Sequence, residues 1–183
     1  MNNVLKAEKF GDKVVEVRYD TEPENPRNWE NIGTMVYRYR GMSENEAELD
    51  FEPFNSLQEL IDHAKAELNA LVVLPLRIYD HSGLSMSVGI AGGWDSSQVG
   101  IIYADKERVT NEFGADYTLE RVEQILRSEV DIYDHYLTGE VFGYQIVEES
   151  TCSHCNHRDK EILDSSWGYY SVEDAFEAGK ENI

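Results

Sequence analysis

The chain predicts an α+β fold: a single domain over 1–183 with a mostly antiparallel sheet and three or four helices. Three observations carry this. Five to seven short segments rich in β-branched and aromatic residues are bounded by turn residues, as strands are. These segments do not alternate regularly with helical ones, as a doubly wound parallel sheet would require. The 183 residues are 41% hydrophobic, long and apolar enough for a real core.

In chain order, Lys13-Val14-Val15-Glu16-Val17-Arg18-Tyr19 alternates as a strand does. It runs into a polar loop through Asn31 that holds Pro23 and Pro26, each of which disfavours helix in the residue before it. Thr34–Tyr39 is the next strand, and the acidic span from Gly41 to Pro53 reads as exposed. Ser56 caps a helix, with Glu59 three residues on and Leu57, Leu60, Ile61, Ala64 and Leu68 along one side. Leu71–Leu76 and Ile101–Tyr103 read as buried strands enclosing a polar, glycine-rich segment. Asp105 caps a short helix through Lys106–Phe113, ended by Gly114. Thr118 starts the longest helix, where Leu119, Val122, Leu126, Val130, Tyr133 and Leu137 recur at helical spacing and Gly139 is the stop. Strands at Phe142–Val147 and Lys160–Asp164 and a helix at Ser171–Ala178 complete the set.

Charge separates the function classes. Thirty-six acids against sixteen bases leave −20, spread along the chain. Such a field repels phosphate backbones and attracts basic surfaces, so direct nucleic-acid binding is not expected. The plain reading of the charge is solubility; the sharper one is imitation of a phosphate lattice. The longest apolar run is too short for a membrane span, and the N-terminus lacks the pattern of an export signal, so a cytoplasmic address is expected. The densest acids are Glu44, Glu46, Glu48, Asp50 and Glu52, read either as a solvated loop or as a partner-binding face. Trp29 and Trp94, beside acids or glycines, suit a core edge or a recognition surface, and eleven tyrosines suit a protein interface.

Two clusters carry candidate chemistry. Cys152, His154, Cys155 and His157 have the residue types of a zinc site, set in a small hairpin at 150–160. The alternative is a pair of reduced cysteines in a hairpin tip that the fold does not need. Asp80, His81 and Asp95 could orient a water or hold a divalent ion. Against this, neighbours on an extended chain point opposite ways, and a hairpin turn at Ser82-Gly83 with a structural Asp80 explains them as well. Gly89, Gly92 and Gly93 lack the lysine ending of a phosphate-binding loop, so a structural loop with Trp94 packed over the core is expected.

Several segments resemble proteins of bacteriophages and mobile elements: the run from Tyr19 to Met35, Leu74-Pro75-Leu76, Tyr79–Gly83, Trp94–Gly100, Tyr133–Tyr144 and Asp164–Tyr170. The resemblance implies a family of small acidic phage proteins working in a bacterial cytoplasm, and it transfers no catalytic residue. Small acidic phage proteins include inhibitors of restriction systems and CRISPR effectors, some acting as DNA mimics. The leading expectation is therefore an anti-CRISPR or anti-restriction inhibitor that binds a host defence nuclease or guide-bound effector and requires no cofactor. Two alternatives stand beside it: a small metal-dependent enzyme, and a zinc-stabilised scaffold or regulator. Homodimerisation through sheet edges is compatible with all three.

Overall fold

The computed structural model describes residues 4–49, 54–81, 83–151, 154 and 158–183. Its strands are β1 (Val4–Phe10), β2 (Lys13–Tyr19), β3 (Thr34–Tyr39), β4 (Met42–Asn45), β5 (Ala70–Asp80), β6 (Leu84–Val88), β7 (Ser96–Asp105), β8 (Phe142–Thr151) and β9 (Arg158–Tyr169). Its helices are α1 (Leu57–Glu67), α2 (Lys106–Phe113), α3 (Leu119–Thr138) and α4 (Val172–Glu181), and a 3₁₀ turn covers Pro26–Asn28. The class is α+β, and every strand pairing among the described residues is antiparallel. Instead of one sheet there are two, in the orders β1-β2-β8-β9 and β4-β3-β7-β5-β6. The chain's contacts sort into two compact units, one drawn from residues up to Asn25 and from Gly139 onward, the other spanning Pro26–Thr138.

In the first unit, β2 pairs with β8 so that Val15 faces Ile146 and Val17 faces Tyr144. These four pack under Ala175 and Phe176 of α4. Ser171 caps that helix, its hydroxyl accepting from the Asp174 N–H at 3.0 Å. Alternation sends Glu16 to the opposite face. There its side chain is 4% exposed, held by Lys160 Nζ and Arg18 Nη2, each at 2.6 Å.

In the second unit, helices cover both faces of the five-stranded sheet. Val122, Leu126, Val130 and Tyr133 of α3 pack on Met35, Leu74, Leu76, Ile78, Met86 and Ile102. On the other face Leu60 and Ala64 of α1 meet Val36, Ile101 and Tyr103. Each fully buried side chain of this size contributes about 1.5–3 kcal/mol. The expected caps hold: Ser56 Oγ accepts from Glu59 N–H, Asp105 Oδ1 from Arg108 N–H and Thr118 Oγ1 from Arg121 N–H. Glu59 reaches back to the Asn55 N–H, closing the helix start.

Three differences from the sequence reading have physical causes. Strand β4 lies inside the acidic span that reads as exposed loop; it is a four-residue edge strand whose inward residues are too few to make a pattern. Strand β6 alternates Leu84, Met86 and Val88, yet five residues give only one fully buried position, Met86. Strand β1 is an edge strand whose apolar Val4, Leu5, Ala7 and Phe10 do not alternate regularly with its polar Lys6, Glu8 and Lys9, so it carries little period-two signal. No helix among the described residues is long and apolar enough to cross a membrane.

Candidate partner-binding site

The residues that bear chemistry meet at one end of the five-stranded sheet. β5 and β7 pair with Tyr79 opposite Ser96, and the Asp80 N–H donates to the Asp95 carbonyl at 3.0 Å. This register sets the end of β5 beside Trp94 and Asp95. Side chains alternate along β5, so Tyr79 and His81 share one face and Asp80 takes the other. The candidate trio is divided accordingly. Asp80 Oδ2 accepts from Arg40 Nη1 at 2.6 Å and from the Tyr39 hydroxyl at 2.9 Å. His81 Nδ1 stands 4.0 Å from Asp95 Oδ2, beyond hydrogen-bond reach. Among the described residues no group of three His, Cys, Asp or Glu is placed to hold a metal ion.

Electrostatics at the site follow the same division. Hydrogen bonding to the Asp80 carboxylate holds the Tyr39 phenol above its usual pKa, and Asp95 does the same to Tyr79. Both phenols therefore stay protonated donors, suited to recognition and not to general-base work.

Trp94 corrects the sequence reading most sharply. It is not packed over the core: its side chain is 85% exposed. The indole meets the His81 ring edge-on, with ring centroids 5.5 Å apart and planes at 89°. Ile90 on the same loop is 64% exposed and Tyr79 46%. The loop backbone beneath them is tied down. Gly89 N–H donates to Pro75 O at 2.9 Å, and Ala91 N–H to Gln98 Oε1 at 3.0 Å. Gly92 N–H donates to Ser96 Oγ at 2.8 Å, while Arg77 Nη1 reaches Ile90 O at 3.3 Å. Gln98 is itself anchored through Nε2 to Leu76 O at 2.7 Å. Gly93 lies at φ +93°, which only glycine adopts without strain, in the turn that carries Trp94 before β7 begins. A held loop thus presents large apolar side chains to water, which marks a contact surface more often than a defect.

The acidic run behaves differently from its sequence impression. Glu44 accepts from the Tyr133 hydroxyl at 3.3 Å. Glu46 is occupied by Arg27, and its side chain is 22% exposed. Glu48 is exposed. Asp50 and Glu52 lie outside the described residues, as do Cys152, Cys155 and His157 of the proposed zinc cluster, while His154 is an exposed turn residue. Trp29 is 41% exposed and lines a cleft of about 410 Å³ with Arg108 and Glu112.

Ile90, Arg77 and Gln98 escape the sequence reading. The available signal is Gln98, an amide just before the buried Val99–Ala104 part of β7, which must find partners for its donors and acceptor. Comparison with family models, with curated proteins and with solved structures gave no match in any of the three.

Proposed function

We propose that the protein is an inhibitory binding protein that covers the basic, nucleic-acid-handling face of a partner. The observation that carries this is Trp94, 85% exposed on a hydrogen-bonded loop in a chain of net charge −20. An indole left in water forgoes about 2–3 kcal/mol of burial. A partner that covers it recovers that energy, and a loop already ordered loses little entropy on binding. Tryptophan and tyrosine are the usual anchors of such interfaces.

Charge supplies the attraction and the choice of partner. The segment 26–138 holds twenty acids against nine bases, and the rest of the chain sixteen against seven, so both units are strongly negative. That field speeds association with a basic surface and disfavours acidic ones. The resemblance of several segments to phage and mobile-element proteins sets the context: a bacterial cytoplasm, and a host defence nuclease or guide-bound effector as the target. Trp94 and Ile90 act as anchors, with Glu48, Asp50 and Glu52 proposed among the carboxylates that engage the basic partner. Glu44 and Glu46 have partners within their own unit and contribute only to the field.

The test is phage plating on strains carrying defined restriction or CRISPR immunity, with and without the protein expressed. Restored plating against one system, lost with Trp94→Ala, is the expected result. Plating that stays suppressed across the panel overturns the nuclease reading. Inhibition of the purified effector that is unchanged in about 1 M salt overturns the electrostatic competition.

A further inference from the structure

A different tryptophan, Trp167, stands in the unit that holds β1, β2, β8 and β9, and the function proposed above does not use it. β8 and β9 pair with Gly143 opposite Trp167. The indole lies across the place where a side chain at 143 would stand: a Cβ there would meet ring atom Cε3 and come within 2.6 Å of Cδ2. The ring is therefore seated on the sheet, yet 41% of the residue remains exposed. Gly143 makes the seat and water covers the rest.

Beside the ring, the loop after β2 completes a cleft of about 320 Å³ lined by Asp20, Thr21, Glu22 and Trp167. The loop is positioned by its own backbone. Asp20 N–H donates to Val141 O at 2.7 Å, carrying the β2–β8 ladder one residue past Tyr19. Asp20 Oδ1 then accepts from the Glu22 N–H at 3.0 Å. The lining is an aromatic platform, a hydroxyl and two carboxylates, with no base. Arg18, the nearest base along the chain, has its Nη2 on Glu16 Oε2 at 2.6 Å.

We propose that this cleft binds a guanidinium group. A tryptophan face attracts cations through its quadrupole, and a planar guanidinium adds stacking that a tetrahedral ammonium lacks. Carboxylates beside the platform accept its N–H groups in the paired geometry that strengthens such bonds. An anion gains nothing here, and a neutral ligand forgoes both the cation–π and the ionic contribution. The group can be carried by an arginine in a polypeptide or by a free guanidino compound, and the two are separable by experiment.

The indole N–H resonances of Trp29, Trp94 and Trp167 report on each residue separately, with Trp167→Phe supplying the assignment. Titrating the whole protein with N-acetyl-arginine amide is expected to shift the Trp167 signal saturably and leave the other two in place. N-acetyl-citrulline amide, of the same shape without the charge, is expected to shift nothing. The double variant Asp20→Asn, Glu22→Gln keeps an oxygen at position 20 to accept from the 22 N–H, so the loop survives; its affinity is expected to fall about tenfold. Tighter binding of the blocked amide than of free arginine assigns the site to a polypeptide ligand, and the reverse order to a small molecule. No saturable shift at Trp167, an equal response to citrulline, equal affinity for N-acetyl-lysine amide, or unchanged affinity in the double variant overturns the proposal.

Discussion

Arg27 and Glu46 are joined by two hydrogen bonds, Nε to Oε1 at 2.7 Å and Nη2 to Oε2 at 3.1 Å, around a guanidinium whose side chain is 2% exposed. The same group reaches Glu129 Oε2 at 3.1 Å and the Gly33 carbonyl at 2.6 Å. Glu129 in turn accepts from the N–H groups of Ile32 and Gly33. The network staples the 26–33 loop to Glu46, just past the end of β4, and to α3. Burial alone would lower the Arg27 pKa, but Glu46 and then Glu129 outweigh it and hold it above its usual value.

Removing one member of a buried, hydrogen-bonded charge group leaves the others unpaired. Arg27→Ala is expected to cost about 3–5 kcal/mol, read as a drop in the urea midpoint. Glu46→Gln is expected to destabilise clearly, whereas Glu48→Gln, exposed in the same acidic run, stays within about 0.5 kcal/mol of the parent. Equal effects at 46 and 48 would contradict the division of that run into inward and outward carboxylates.

Glu16 gives the unit built on β1, β2, β8 and β9 a pH signature. Burial pushes its pKa up, but hydrogen bonds from Lys160 and then Arg18 prevail and hold the carboxyl below its usual value. A depressed folded-state pKa means stability that is present above the unfolded value of about 4.3 and lost as pH falls through the folded one. Lys160, raised chiefly by its hydrogen bond to Glu16, shows the mirror image: its contribution is present below about 10.4 and lost as pH rises through the folded value. Chemical denaturation from pH 6 down to 3 should show the gap between the parent and Glu16→Gln closing. A gap that stays constant over that range would remove Glu16 from the acid response.

How much of this is readable in the sequence depends on range along the chain. The helix starts at Ser56, Asp105, Thr118 and Ser171 are visible because a cap is a local event, one side chain meeting an N–H three residues on. The splitting of Asp80 from His81 is visible for the same reason, since alternation along an extended strand is local. The arrival of Asp95 and Trp94 beside His81 is not, because it rests on the β5–β7 register that sets Tyr79 against Ser96. Nor is the existence of two sheets. β2 finds its partner in β8 across the whole central segment, and several other apolar strands would match it equally well on pattern alone. Glu46 looks like a surface charge because nothing near it in sequence announces Arg27.

Gly100 tests the packing of β7 against β3. A Cβ at that position would fall on the Val36 carbonyl oxygen and 2.7 Å from Tyr37 Cα, both backbone atoms that cannot rotate away. Gly100→Ala therefore forces the two central strands apart and is expected to cost about 1–3 kcal/mol or more. Gly83→Ala, where a Cβ would meet nothing within 4 Å, is the matched control and should leave the thermal midpoint in place. Equal midpoints for the two variants would rule out the close β3–β7 approach.

Trp94 separates a surface made for contact from one that merely tolerates an aromatic. At 85% exposure its truncation removes little internal packing, so Trp94→Ala should change stability by less than about 0.5 kcal/mol. If the indole is an interface anchor, the same variant should weaken inhibition of the target effector by at least about 30-fold, the size of a hot-spot residue of 2 kcal/mol or more. Gln98→Ala should act indirectly. It removes the acceptor for Ala91 N–H and frees the loop that carries Trp94, weakening binding by slowing association or raising the entropy lost, with Trp94 itself unaltered. A Trp94→Ala variant that inhibits as well as the parent would take the anchor role away from this loop and return the binding surface to the carboxylates alone.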